Sequence, residues 1–153
     1  MKRIHHWIDG KSYESESGRH GDVYNPASGE VQAHVDFASP KEIELAIASA
    51  KEAFVSWRNT GLSKRTNIMF AFREIVSSRK EQLALALTAE HGKVPSDAAG
   101  EISRGLENIE FACGIPQMLK GAYSEQASTG VDVYSLRQPL GVEIGRASCR
   151  ERV

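Results

Sequence analysis

Ser39-Pro40-Lys41-Glu42, followed by Ile43, Ile47, Ala50, Phe54 and Trp57, divides this chain into two unlike halves. Ser39 is a capping residue, Pro40 is preset for the first helical position, and Glu42 stands where a capping box needs its carboxylate. The five apolar residues fall on one stripe of a helix that Asn59-Thr60-Gly61 closes. Strand signals come before this helix, and helix signals continue after it.

Upstream, residues 1–38 read as β-rich. Trp7-Ile8-Asp9-Gly10-Lys11 suggests a short strand entering a tight hairpin turn, since Asp-Gly readily takes positive φ angles. A polar stretch from Ser12 to Gly21 gives way to Val23-Tyr24-Asn25-Pro26-Ala27-Ser28-Gly29-Glu30-Val31, turn chemistry between two extended segments. Gln32 to Phe37 alternates polar and apolar residues, as a half-buried strand does.

Downstream, the spacing predicts helices within about 39–60, 63–77, 78–91 and 96–114. The second starts at Ser63 and is expected to bury Ile68, Met69, Phe72, Ile75 and Val76. Ser78-Arg79-Lys80-Glu81 offers a capping box for the third, which Gly92 stops and Pro95 keeps stopped. Ser96 is a candidate cap for the fourth, with Asp97 and Glu101 near its positive end, and Pro116 breaks it after Gly114. Val131 to Val142 alternates like a strand that Pro139 bends or ends.

The 153 residues are 41% hydrophobic and 25% charged, with a net charge of −1. One soluble globular domain is the default, and a chain of about 150 residues buries roughly 68–70% of its unfolded surface. Near-neutral charge supplies no field for nucleic acid or an anionic membrane. No apolar run reaches the ~18 residues of a membrane span, and no signal core follows Met1-Lys2-Arg3. The chain therefore reads as cytoplasmic.

Cys113 and Cys149 have no Cys-x-x-Cys pairing, which argues against a disulfide framework and a structural zinc site. Cys113 shares a stripe with Ile102, Leu106 and Ile109 and reads as a buried structural thiol. Histidines 5, 6, 20, 34 and 91 show no metal-ligand spacing on any one element, so no metal is expected. His5-His6 reads as an exposed N-terminal pair, and His91 as a cation at a helix C-terminus. Gly10, Gly18 and Gly21 lack the strand–loop–helix context of a phosphate loop.

The fourth helix carries the most informative residue. Arg104 lies opposite the apolar stripe, with Phe111 two turns on and Gly100 one turn before on its own face. Either Arg104 pairs on the surface with Glu101 or Glu107, or its fork faces a pocket that holds a carboxylate bidentately.

Trp7 to Lys11, the Tyr24-to-Val31 turn and the helix from Ala46 to Trp57 together resemble the N-terminal region of aldehyde dehydrogenases. Ser103-Arg104-Gly105-Leu106-Glu107-Asn108-Ile109-Glu110-Phe111-Ala112-Cys113-Gly114 looks like one branch, the CoA-acylating methylmalonate-semialdehyde dehydrogenases. Asp132-Val133-Tyr134-Ser135 and Arg137 to Val142 fit the same branch. The resemblance covers essentially all of residues 4–142.

The resemblance implies an α/β fold, the N-terminal part of the doubly wound NAD-binding domain. Residues 1–121 would form that incomplete domain and 122–142 an extended oligomerisation arm. It also implies a homo-oligomeric enzyme that converts malonate or methylmalonate semialdehyde, CoA and NAD to acetyl-CoA or propionyl-CoA, CO2 and NADH through a cysteine thioester. Arg104 matches the arginine that helps hold the substrate carboxylate. The branch's nucleophilic cysteine, general-base glutamate and NAD loop are expected beyond Val142, so no catalytic or cofactor-binding residue is assigned here and the chain alone is expected to be inactive. Glu143 to Val153 resembles translated sequencing adapter and is expected to be a non-native tail. Other readings are another NAD(P)-dependent branch with a structural Arg104, or a non-enzymatic helical interaction module whose last strand pairs with a partner.

Overall fold

The computed structural model describes residues 1–145. Its first part is a three-stranded mixed sheet with a separate hairpin. β1 (Lys2–Ile4) runs parallel to β5 (Val31–Asp36), and β4 (His20–Tyr24) pairs antiparallel on the other side of β5. β2 (His6–Ile8) and β3 (Lys11–Tyr13) form the hairpin that Asp9-Gly10 predicts, with φ of 53° and 71° at the two turn residues. The Asn25 turn joins β4 to β5: Gly29 N–H donates to the Asn25 carbonyl at 2.8 Å, and Ala27 N–H to Asn25 Oδ1 at 2.9 Å. β5 does not bury one alternating face: its buried residues, Ala33 and Asp36, are three apart and lie on opposite faces, the others being half-buried.

The helices follow as α1 (Pro40–Arg58), α2 (Leu62–Ser78), α3 (Lys80–His91), α4 (Pro95–Cys113) and the short α5 (Ile115–Met118). The capping box of α1 forms in full. Ser39 N–H donates to Glu42 Oε2 at 2.6 Å, and Glu42 N–H donates to Ser39 Oγ at 3.3 Å. Glu42 also accepts from Glu16 N–H at 2.8 Å and Ser15 Oγ at 3.0 Å, which ties the helix start to the segment before β4.

One expected helix start shifts and two other expected caps are replaced. Gly61 precedes α2 without a side-chain cap, so Ser63 lies inside the helix. Ser78 ends α2 instead of capping α3, because its hydroxyl donates back to the Ile75 carbonyl at 3.0 Å. Val94 precedes α4 and Pro95 opens it, so Pro95 is a helix starter and Ser96 caps nothing. The last strand is also shorter than its alternation suggests: β7 ends at Tyr134.

Gly92 ends α3 at φ 79°, and a Cβ there would lie 3.0 Å from Pro26 Cγ. A left-handed alanine costs about 1–2 kcal/mol before that contact is counted. Gly92→Ala should therefore lower unfolding stability by at least this amount in a urea titration.

α4 packs on α2 and α3, burying Ala98 near one end and Cys113 at the other. The α1 and α2 stripes are only partly covered, with Phe54, Met69 and Val76 half-buried. Ile43, Trp57, Ile68, Phe72 and Ile75 are all exposed, against the expectation of burial. The chain presents 12119 Å² to solvent, where a compact monomer of 16.8 kDa presents about 7,700 Å². The expected two-thirds burial is not reached because much of these apolar faces stays open to water among the described residues.

β6 (Tyr123–Ser128) and β7 (Val131–Tyr134) form a last antiparallel hairpin, exposed on both faces. Its neck is close: Ser135 N–H donates to the Ala122 carbonyl at 2.8 Å, and a Cβ on Gly121 would sit 1.9 Å from the Ser135 carbonyl oxygen. Asp132 fastens a bulge, accepting from Gln126 N–H at 2.8 Å and Tyr123 OH at 2.7 Å. These bonds hold the Asp132 carboxyl below its ordinary range, the Gln126 N–H first among them. Residues 146–153, with Cys149 and most of the expected tail, lie outside the described residues.

Candidate functional site

α4 displays Arg104 on the side turned away from α2 and α3. Helical side chains lean toward the N-terminus, and Arg104 does so: its Nη1 lies 4.0 Å from where Gly100 would carry a Cβ. Phe111 extends the same face two turns later and is 71% exposed. An open aromatic ring and a charged fork thus share one helix face, two turns apart.

The surface-pair reading for Arg104 loses its main candidate. Glu101 is taken by Lys93, whose Nζ hydrogen-bonds Glu101 Oε2 and also lies 3.5 Å from Asp97. That bond lowers the Glu101 pKa and raises that of Lys93, while Arg104 acts on Glu101 only through space. Neither Glu101 nor Glu107 forms an ion pair with Arg104 among the described residues. The guanidinium is available.

Cys113 is buried and free. The cation nearest its surface cleft, Arg73, is already held by Glu110 at 2.7 Å and Glu74 at 3.4 Å, which raises the Arg73 pKa, the Glu110 bond first. A cation so neutralised does not favour a thiolate, and the buried structural reading of Cys113 holds.

Two clusters escape the one-dimensional reading. His5 is not part of an exposed pair. Its Nδ1 lies 2.8 Å from Asp36 Oδ2, while Arg3 Nε donates to Oδ1 at 2.6 Å and Ser15 N–H to Oδ2 at 3.2 Å. The Asp36 side chain has no solvent exposure, and these bonds, the His5 bond foremost, hold its carboxyl far below the carboxylate range. The second cluster is His20, Asp22 and His34, gathered between β4 and β5. Spacing along any one element does not show this group, because it comes together only across the β4–β5 ladder. The only advance signal was the period-two spacing His20-x-Asp22 with a histidine on the next strand.

The described residues thus form a mixed α/β layer that presents an exposed arginine from its last long helix. Residues 13–145 match the profile described as "Aldehyde dehydrogenase family". The chain belongs to the aldehyde dehydrogenase family, and its fold is the N-terminal part of that family's fold. It is 39% identical over 95% of its length to the malonate-semialdehyde dehydrogenase of Pseudomonas aeruginosa, covering 29% of that protein. It is 41% identical over 94% of its length to the mitochondrial acylating methylmalonate-semialdehyde dehydrogenase of Arabidopsis thaliana, covering 24%. The methylmalonate-semialdehyde dehydrogenase structure from Oceanimonas doudoroffii superposes with a TM-score of 0.85 at 42% identity, over 92% of this chain and 28% of that one. A Sinorhizobium meliloti structure solved with NAD, carried provisionally under the same enzyme name, gives a TM-score of 0.87 at 42% identity, covering 92% of this chain and 29% of that one. The chain thus spans less than a third of the length of these relatives. No described helix is long and apolar enough to cross a membrane.

Proposed function

We propose that this chain supplies the N-terminal segment of a CoA-acylating, NAD-dependent malonate- or methylmalonate-semialdehyde dehydrogenase acting in the cytoplasm. The carrying observation is Arg104: a guanidinium with no ion pair among the described residues, on an exposed face of α4, in a chain 39–41% identical to relatives bearing those names. The reaction takes malonate semialdehyde, CoA and NAD+ to acetyl-CoA, CO2 and NADH. NAD accepts the hydride and CoA accepts the acyl group. What residues 1–142 contribute is placement. The fork of Arg104 holds the substrate carboxylate at two points, which fixes the aldehyde carbon relative to a nucleophile supplied elsewhere. Phe111 shields that ion pair from water on the same face. The exposed β6–β7 hairpin is the proposed oligomerisation arm. Its outer strand edges have no partner strand among the described residues and meet a second copy of the chain.

The test is a chimera in which residues 1–142 replace the matching segment of the Pseudomonas aeruginosa enzyme. A folded chimera should form NADH and acetyl-CoA in equal amounts from malonate semialdehyde, and the 153-residue chain alone should form neither. A folded chimera that prefers propanal to the carboxylated aldehyde would refute the assignment.

A further inference from the structure

We propose that His20, Asp22 and His34 form a divalent transition-metal site on the β4–β5 ladder, with water completing the coordination of a zinc-class ion. The ladder register sets Asp22 directly opposite His34, and His20, two residues before Asp22, projects from the same face. His34 Nδ1 lies 2.8 Å from Asp22 Oδ1, and the His20 ring stands edge-on to His34 with centroids 4.6 Å apart and planes at 63°. One ligand atom from each residue lies within 4.8 Å of the other two.

Those separations suit an ion. Tetrahedral zinc with bonds of about 2.0–2.1 Å needs ligand atoms about 3.3–3.4 Å apart. The His34–Asp22 pair opens by about half an ångström to admit it, and the exposed His20 ring swings in to close the third edge. Asp22 is steadied from behind by the Tyr24 hydroxyl, which donates to Oδ2 at 3.4 Å. Two imidazoles and one carboxylate select Zn2+, Co2+, Ni2+ or Cu2+ over Mg2+ and Ca2+, which take all-oxygen sets. Two strands of a paired sheet hold the donors, so little chain ordering opposes binding. A bare His34–Asp22 hydrogen bond needs no third group, and this difference separates the two possibilities.

The experiment is a Zn2+ titration of the chelator-treated 153-residue chain by calorimetry, with Co2+ absorption as a second readout. One ion per chain is expected. His20→Gln should weaken binding at least about tenfold although it leaves the His34–Asp22 bond in place, and His34→Gln should do the same. His91→Gln should bind like the parent, and millimolar Mg2+ should not compete. In the unmutated chain, Co2+ should shift the ring proton resonances of His20 and His34 ahead of the other histidines, a measurement independent of how any variant folds. Absence of binding up to about 0.1 mM Zn2+, or affinity unchanged in both variants, or Co2+ shifts led by other histidines, overturns the site.

Discussion

Arg104→Leu in the active chimera should lower kcat/KM for malonate or methylmalonate semialdehyde by about ten- to hundredfold, the range of one hydrogen-bonded charge pair. Arg104→Lys should fall between leucine and the parent, since it keeps the charge and loses the planar fork. Propanal carries no carboxylate, so its low activity should barely respond to either change. The comparison isolates the anion contact because Arg104 makes no ion pair inside the described chain and little folding energy rests on it. Equal losses for both aldehydes would show that Arg104 supports structure and would leave the proposed substrate class without its recognition element.

The second large effect concerns acid. Asp36 and Glu42 both have folded-state pKa values below their unfolded ones, Glu42 lowered from 4.5 to about 2 chiefly by the Ser39 N–H, and Asp36 held down chiefly by His5. Depressed carboxyl groups stabilise the fold at pH values above their unfolded pKa and lose that contribution as pH falls toward the folded one. The β-rich part should therefore be fully stable above about pH 5 and lose stability steeply between about pH 4 and 2. Asp36→Ala at neutral pH removes one acceptor from Arg3, His5 and the Ser15 N–H together, and should lower the thermal midpoint by roughly 5–10 °C. In Asp36→Asn/Glu42→Gln the acid slope should flatten, as circular dichroism against pH can follow. A slope as steep as the parent's would place the acid-sensitive groups elsewhere.

What the sequence discloses here is mostly short-range chemistry. The Asp9-Gly10 turn, the Ser39 box and the left-handed Gly92 each need only neighbours within a few residues, and each is found where the residues place it. Ser63, Ser78 and Ser96 mislead because a serine near a helix start has more than one use. Ser78 turns back to a carbonyl, and Pro95 rather than Ser96 sets the first turn of α4. The stripes of α1 and α2 are legible as amphipathic, yet periodicity says only which face is apolar and nothing of what covers it. Asp36 and the His20–Asp22–His34 group depend on strand register between residues 12 to 33 apart, which local pattern does not encode. Arg104 is the intermediate case: spacing locates its face, while the release from Glu101 follows from Lys93, eight residues before that glutamate.

The large solvent-facing area has a thermodynamic consequence. An unfolded chain of 16.8 kDa exposes about 24,000 Å², so folding removes about half of that surface from water rather than the two-thirds or more of a compact chain this long. Heat capacity changes in proportion to the surface hydrated on unfolding. For 153 residues the increment should be about 1.3–1.7 kcal/mol/K instead of about 1.8–2.3. The stability curve is correspondingly flat, so cooling gains this chain little. The apolar faces of α1 and α2 that water still touches are a reserve of hydration entropy, released only when further protein surface closes over them.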